Sequence, residues 1–528
     1  MTLAAEPSSR EGPAIARGLP VLAGLAAFAF YLQLIPMVSG FGDGPEFTVV
    51  LAKAGLSHPT GYPLYTILGH FFVTALHAIG VPWAFAANAW SGAGAATAVA
   101  LFVALARRLA ALGPPATPAP GGPASAAALF LAAILAVHPA LIAEATQAEV
   151  NAWSVAWTCA AALVFLRLIA RPLTARGAFA WGLIAGVGIA HHFLSLPVTL
   201  PLTMALGAAA ARTRSLRPRA AVAAIVGGLL PVASYGFLVW RVFHPAPGQW
   251  TDVPRTAAGI FEHLTGARYR VFLGSFAPDA HNAEMLAWCV YPIVFPGVVL
   301  LLLGLLRSRD AVRRLAWGGL AAGTLLTMGF VFRYGVPDPT PYFLPVVALG
   351  LLGAAPPAAA LARRLADAPI PARSLAALLA VAAIAFFGAQ GVGQSSREKR
   401  QLASFDRMVR MMWASVPAES SIVVYPADQH RRLVEYQVLD GEKRAVYVTN
   451  LDRLLEPETR AEIERRFGVD PMAGEPIPDV PEDPAAAARV QEEFLIRVVR
   501  DLNARVRVPV IVFDPTVPMV QELKKSGA

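Results

Sequence analysis

Charge is scarce in this chain. Of its 528 residues only 15% are Asp, Glu, Lys or Arg, while 56% are hydrophobic and the mean hydropathy is +0.53. A soluble domain carries about a quarter charged residues, so this composition excludes a soluble enzyme and a disordered protein. Cysteine is nearly absent. Cys159 and Cys289 both sit in apolar runs, which excludes a disulfide framework and a cysteine metal site. Walker and dinucleotide glycine motifs are missing, as is any His/Asp/Glu spacing of a standard metal site. No internal repeat stands out, and no cleavable signal peptide is evident, because the first apolar run follows Arg10 and Arg17.

What charge there is comes in clusters, with long Ala/Leu/Val/Phe runs between them. Residues 1–392 hold 24 Lys+Arg against 13 Asp+Glu, and residues 393–528 hold 20 against 22. A basic excess confined to the apolar part is what membrane orientation requires, so no nucleic-acid partner is implied. Twelve apolar runs approach the length of a span, near 19–39, 62–80, 87–106, 125–143, 152–170, 177–192, 193–211, 220–241, 285–306, 315–334, 341–362 and 374–392. If the 62–80 run lies on the outer surface, the clusters Arg107–Arg108, Arg171–Arg176, Arg212–Arg219, Arg307–Arg314 and Arg363–Arg373 all fall inside. Nine of the thirteen acidic residues before the tail, Asp252 among them, then fall outside. The expected topology is therefore eleven spans, N-terminus inside and C-terminus outside, in a cytoplasmic membrane. The 62–80 run, with His70, His77 and a proline at its start, suits an interfacial helix.

The fold class expected is an all-α polytopic membrane protein with a small C-terminal α/β domain. Residues 1–392 form the membrane domain, with a first outer loop over 40–86, and 393–528 form the outer domain. The boundary lies where composition changes after Gln390, and the β-like runs 421–425, 445–449 and 508–513 alternate there with helical patterns over 396–414 and 486–503. The Pro/Gly/Ala stretch 113–124 reads as an inside linker and 476–484 as a loop in the tail.

The chemistry concentrates in the first outer loop. Asp43 and Glu46 lie three apart just past the first span, so a helix over 45–54 places Asp43 near its N-cap and Glu46 in its first turn. The pair can serve as base and electrostatic partner, or merely as a cap and a solvated charge. His58-Pro59-Thr60-Gly61-Tyr62-Pro63 is a rigid turn holding His58 and Tyr62 near the same surface, and ordinary turn chemistry is its alternative reading.

Asp-x-x-Glu after the first span, followed by Leu-Ser-His-Pro-x-Gly-Tyr-Pro-Leu, resembles a bacterial membrane family. That family is related to the eukaryotic protein O-mannosyltransferase that modifies plexins and receptor tyrosine kinases. It is similar in turn to the GT-C glycosyltransferases, which take sugars from polyprenyl-phosphate carriers. Ala148-Glu149-Val150, the pair His191-His192, Glu262-His263-Leu264 with Arg268-Tyr269, and Pro337-Asp338 with Tyr342-Phe343-Leu344-Pro345 continue the resemblance over roughly 20–350. Gly44-Pro45 stand where that family usually has Ser-Gly, and the tail after 393 carries none of its motifs.

The resemblance implies sugar transfer at the outer leaflet, from a polyprenyl-phosphate-linked donor to an acceptor hydroxyl on protein, lipid or glycan, with mannose suggested by the eukaryotic relative. Asp43 would be the general base and Glu46 would orient the acceptor or sugar; the preference could be reversed. Arg268 and Arg270, flanking Tyr269, are the first choice to face the leaving phosphate. Arg255 and Arg333 are the other outer-side cations. His58, Tyr62, Glu149 and one of His191 and His192 would bind sugar or phosphate, since adjacent helical side chains diverge by about 100°. No metal ligand set is named, and a divalent cation bridging the carboxylates and phosphate is the one cofactor left open. Two other readings compete. A transporter or lipid-sugar flippase should show charged or helix-breaking residues near mid-span and two related halves, whereas here nearly all acidic residues sit at outer ends and no halves match. A scaffold needs far fewer spans.

Overall fold

Long Ala/Leu/Val runs without charge leave the backbone no partner but itself in lipid, and the chain duly forms helices there. The computed structural model describes residues 13–111, 122–250, 253–425, 430–450, 452–473, 478–479 and 484–512. The linker at 113–121, Asp252 and most of the tail loop 476–484 lie outside the described residues. All eleven runs expected to span are helical. On length and apolarity, however, only seven qualify among the described residues. An eighth does if the pair Gly122–Ala136 and Pro139–Thr146, bent by 62°, counts as one span. The other three fall short for plain reasons. Ala175–His191 has 17 residues, Ala311–Val331 opens with Arg313 and Arg314 in its first turn, and the first helix, Pro13–Leu34, runs 22 residues of which Gly18–Leu34 is the apolar part. The chain is a multi-pass membrane protein all the same.

The bend at 137–139 has a local cause. Pro139 cannot continue the preceding helix, so His138 takes an extended conformation and its Nε2 meets the Cys289 carbonyl at 3.0 Å. Close packing elsewhere rests on small residues. Helix Ala175–His191 lies so tightly on Pro218–Val232 that a methyl at Gly182 or Gly186 would collide with the backbone of Ala224 or Gly228.

The run 62–80 becomes a separate helix, Pro63–Ala78, 16 residues long, packed on Gly44–Lys53 and on Trp83–Ala110. At about 1.5 Å per residue it reaches about 24 Å, less than a hydrocarbon core needs.

At the far end one helix, Ile370–Ser415, carries the chain from apolar into charged composition without a break at 390. Beyond it stands the small α/β unit. Its three strands, β1 (Ile422–Val424), β2 (Tyr447–Thr449) and β3 (Val510–Val512), run parallel in the order β2-β1-β3, with Ile422 opposite both Tyr447 and Val510. Helix Pro484–Arg505 covers one face through Phe494, Val498 and Leu502, and Trp413, Leu433 and Tyr436 cover the other. Both faces are therefore buried, as parallel strands require.

This unit rests on the loop after the first helix. Arg432 Nη2 donates to the Ser39 and Gly40 carbonyls at 2.9 and 2.8 Å, and Ser39 Oγ donates to Glu435 at 2.5 Å. Helix His430–Glu435 is thereby pressed against the start of helix Gly44–Lys53.

Candidate functional site

The site begins where the helix Gly44–Lys53 begins. Asp43 is its N-cap residue by backbone, but its carboxylate makes no capping hydrogen bond, and its side chain is 40% exposed. Glu46, in the first turn, is buried. The two carboxylates so close in sequence thus have opposite surroundings.

Both turn toward His58. The His58 backbone N–H donates to Glu46 Oε1 at 2.5 Å, and His58 Nδ1 lies 3.1 Å from the same oxygen. On its other edge His58 Nε2 lies 3.8 Å from Asp43 Oδ2 and 3.3 Å from the Tyr62 hydroxyl. An anionic Glu46 accepts from Nδ1–H, so it fixes the neutral tautomer with a lone pair on Nε2. The loop that holds the imidazole is itself held: Leu56 receives the Trp250 N–H on its carbonyl at 2.8 Å and donates its own to Gln249 at 3.2 Å. Gly61 takes φ +88 between the histidine and the tyrosine, where a side chain would also strike Leu238.

Tyr62 extends the site toward the later motifs. Its ring stacks on His192 at 5.5 Å, and His192 in turn lies 6.4 Å from Tyr342. Burial pushes the Tyr62 phenol well above its ordinary range, and nearby Tyr269, Tyr342, Asp43 and Glu149 push the same way. Glu149 is raised well above the usual carboxylate range, first by loss of water and then by the charges of Glu144 and Asp43. Loss of water thus favours its protonated form, which can donate a hydrogen bond. Its backbone is fixed by Ser91, which accepts its N–H at 2.9 Å and donates to its carbonyl at 2.7 Å.

The remaining residues singled out in the sequence fall differently. His191 is turned to the Val150 carbonyl at 3.1 Å and buried, so of the histidine pair it is His192 that faces Tyr62. Tyr269 comes within 6.4 Å of the His58 ring. Arg268 is about half exposed and bound to Glu456 of the C-terminal unit at 3.0 Å, so its charge is already matched. Arg270 is exposed on the same short 3-10 helix, Ala267–Phe272.

Sequence reasoning missed the cation nearest the carboxylates. Arg431 of the C-terminal unit forms an ion pair with buried Glu46, and its guanidinium stacks over Trp250 at 4.6 Å from the ring centre. The Arg-Arg pair at 431–432 was the only signal, and nothing local tied it to residue 46. Ligand atoms of Asp43, Glu46 and His58 lie within 4.8 Å of one another, so among the described residues this is the set that could hold a divalent cation. Beside it a cavity of about 1100 Å3 opens between the loop, Trp250 and the C-terminal unit.

Residues 43–215 match the family profile of the protein O-mannosyl-transferase TMEM260 N-terminal domain. The chain is related to that family. The matched segment starts at Asp43 and contains Glu46, His58, Tyr62, Glu149 and the histidine pair. Among solved structures, ArnT from Cupriavidus metallidurans bound to undecaprenyl phosphate superposes with a TM-score of 0.50 at 13% identity, over 85% of this chain and 95% of that one. Its apo form gives 0.45 at 13% identity, over 86% and 95%. The first of these gives the fold, which is GT-C-like. No curated protein matches the chain.

Proposed function

We propose that this protein is a membrane glycosyltransferase that moves a sugar from a polyprenyl-phosphate carrier to an acceptor hydroxyl at the outer face of a cytoplasmic membrane. The observation that carries the reading is the half-exposed Asp43, uncapped and free to accept a proton, beside a buried Glu46–His58 pair on the loop after the first apolar helix. The family likeness over 43–215 and the GT-C-like fold support the same class.

In this reading Asp43 takes the proton from the acceptor hydroxyl as its oxygen attacks the anomeric carbon. The bond from that carbon to the carrier's phosphate oxygen breaks, and the polyprenyl phosphate leaves with the electron pair. Proton transfer of this kind contributes about a hundredfold or more. Glu46 holds His58, and His58 with Tyr62 lines the path to Asp43. Protonated Glu149 and His192 would bind sugar hydroxyls, and mannose is the sugar that the related family suggests. The excess of arginine in the turns between spans supports placing the N-terminus inside and the C-terminal domain, with 393–528, outside.

The test is sugar transfer or hydrolysis by the purified protein from a panel of polyprenyl-phosphate sugars, run beside Asp43→Asn. Turnover that drops about a hundredfold in the variant fits a general base. A variant as fast as the wild type removes Asp43 from the mechanism. Binding of the carrier without any turnover would favour a flippase instead.

A further inference from the structure

The geometry points to Arg431 as a positioning residue of this site, supplied by the C-terminal domain, whose guanidinium holds the first-loop carboxylates where a divalent cation could otherwise stand. The inference rests on the transferase reading above and adds to it a component from outside the membrane domain.

The first observation is burial. The Glu46 side chain is 2% exposed and that of Arg431 13%, so each removes the other's charge from an environment poor in water. Without the guanidinium, the second oxygen of Glu46 would lose its partner, and the carboxylate that holds the His58 backbone N–H and imidazole would be free to turn. The orientation of His58 Nε2 toward Asp43 and Tyr62 is thus set at one remove by Arg431.

The second observation is reach. Arg431 pairs with Glu46 and also feels the charge of Asp43, so one guanidinium interacts with both carboxylates. The Trp250 face at 4.6 Å fixes the plane of the guanidinium, and the Trp250 backbone N–H donates to the carbonyl of Leu56, two residues before His58. The third is the way the residue is delivered. Its neighbour Arg432, 1% exposed, spends its donors on Ser39, Gly40 and Asp406. One arginine fastens the domain to the loop and the next enters the site.

The experiment measures turnover of a polyprenyl-phosphate sugar by the full-length protein in detergent or nanodiscs, for wild type, Arg431→Ala and Arg431→Lys. Millimolar methylguanidine is added to each. The cavity lined by both Glu46 and Arg431 gives that small cation a way in. Arg431→Ala is expected to lose about a hundredfold in kcat with donor KM changed less than about threefold. Methylguanidine should return at least tenfold of the loss, and Arg431→Lys should retain an intermediate rate. A merely structural arginine would show no such rescue. Wild-type turnover with an Ala variant within threefold of it overturns the inference, and so does a loss that neither lysine nor methylguanidine relieves. If Arg431→Ala does not fold, Arg431→Lys and its response to methylguanidine decide. A silent wild type counts against the transferase reading itself, which keeps the two failures apart.

Discussion

Glu149 shows how one side chain's surroundings decide its chemistry. Burial and the charges of Glu144 and Asp43 raise it well above the usual carboxylate range, which favours the protonated form that the proposed mechanism uses as a donor. Glu149→Gln keeps a donor of the same shape and should hold transfer rates within about threefold. Glu149→Ala removes the hydrogen bond and should lose about tenfold or more. Rates at pH 7 for the two variants check this, and a glutamine as harmful as alanine would sink it. The same contrast separates Asp43 and Glu46, three residues apart: one is at the surface and the other is enclosed, which is why the proposed mechanism gives them different roles. Their spacing in the sequence placed both at the helix start, and so it proved. It carried no information on which would be buried. Arg268 is the opposite case. Its family-like position beside Tyr269 suggested a phosphate ligand; in the fold it pairs with Glu456, 188 residues later, with its side chain 47% exposed.

At the scale of elements, helix contact through glycine controls the middle of the membrane domain. Gly182 and Gly186 stand one turn apart and let helix Ala175–His191 touch the backbone of Pro218–Val232. Gly186→Leu has no room on that side and should cost about 1–3 kcal/mol, as overpacking does. A thermal melt of the purified protein in detergent would register it, and an unchanged midpoint would mean the helices can separate freely. This helix ends at His191–His192, so the variant should also disturb the Tyr62–His192 stack and depress turnover. Helical periodicity and apolar length made nearly every such element visible in the sequence. What they left open was how many of them qualify as spans, because apolar length along the chain does not show where one run breaks into two helices, as between Ala136 and Pro139.

For the molecule as a whole, the contact between the C-terminal domain and the first loop is the decisive interface. Glu435 sits inside it, accepting from Ser39 at 2.5 Å, and burial pushes it up to about 7 from an ordinary 4.5. A carboxyl raised in the folded state stabilises that state fully below its unfolded value and loses the contribution as pH rises through the folded one. Docking should therefore weaken between about pH 5 and pH 8. Glu435→Gln should flatten that dependence. Limited proteolysis of the C-terminal domain or hydrogen exchange at residues 36–46 across that range reads it out, and a wild type insensitive to pH would refute the linkage.

The sequence by itself determined the class of this protein. Apolar length demanded helices, sparse and clustered charge demanded a membrane, and the short β-like runs alternating with helical patterns after residue 393 foretold a small α/β domain. It also determined the local half of the site, because Asp43, Glu46, His58 and Tyr62 lie within twenty residues and one loop brings them together. Only the tertiary structure decided the other half. Arg431 reaches Glu46 across 385 positions, His192 rather than His191 faces Tyr62, and Arg268 pairs with Glu456 of the C-terminal domain. Such pairings are fixed by which surfaces pack and which charges must be neutralised once water is excluded, and no spacing along the chain encodes that.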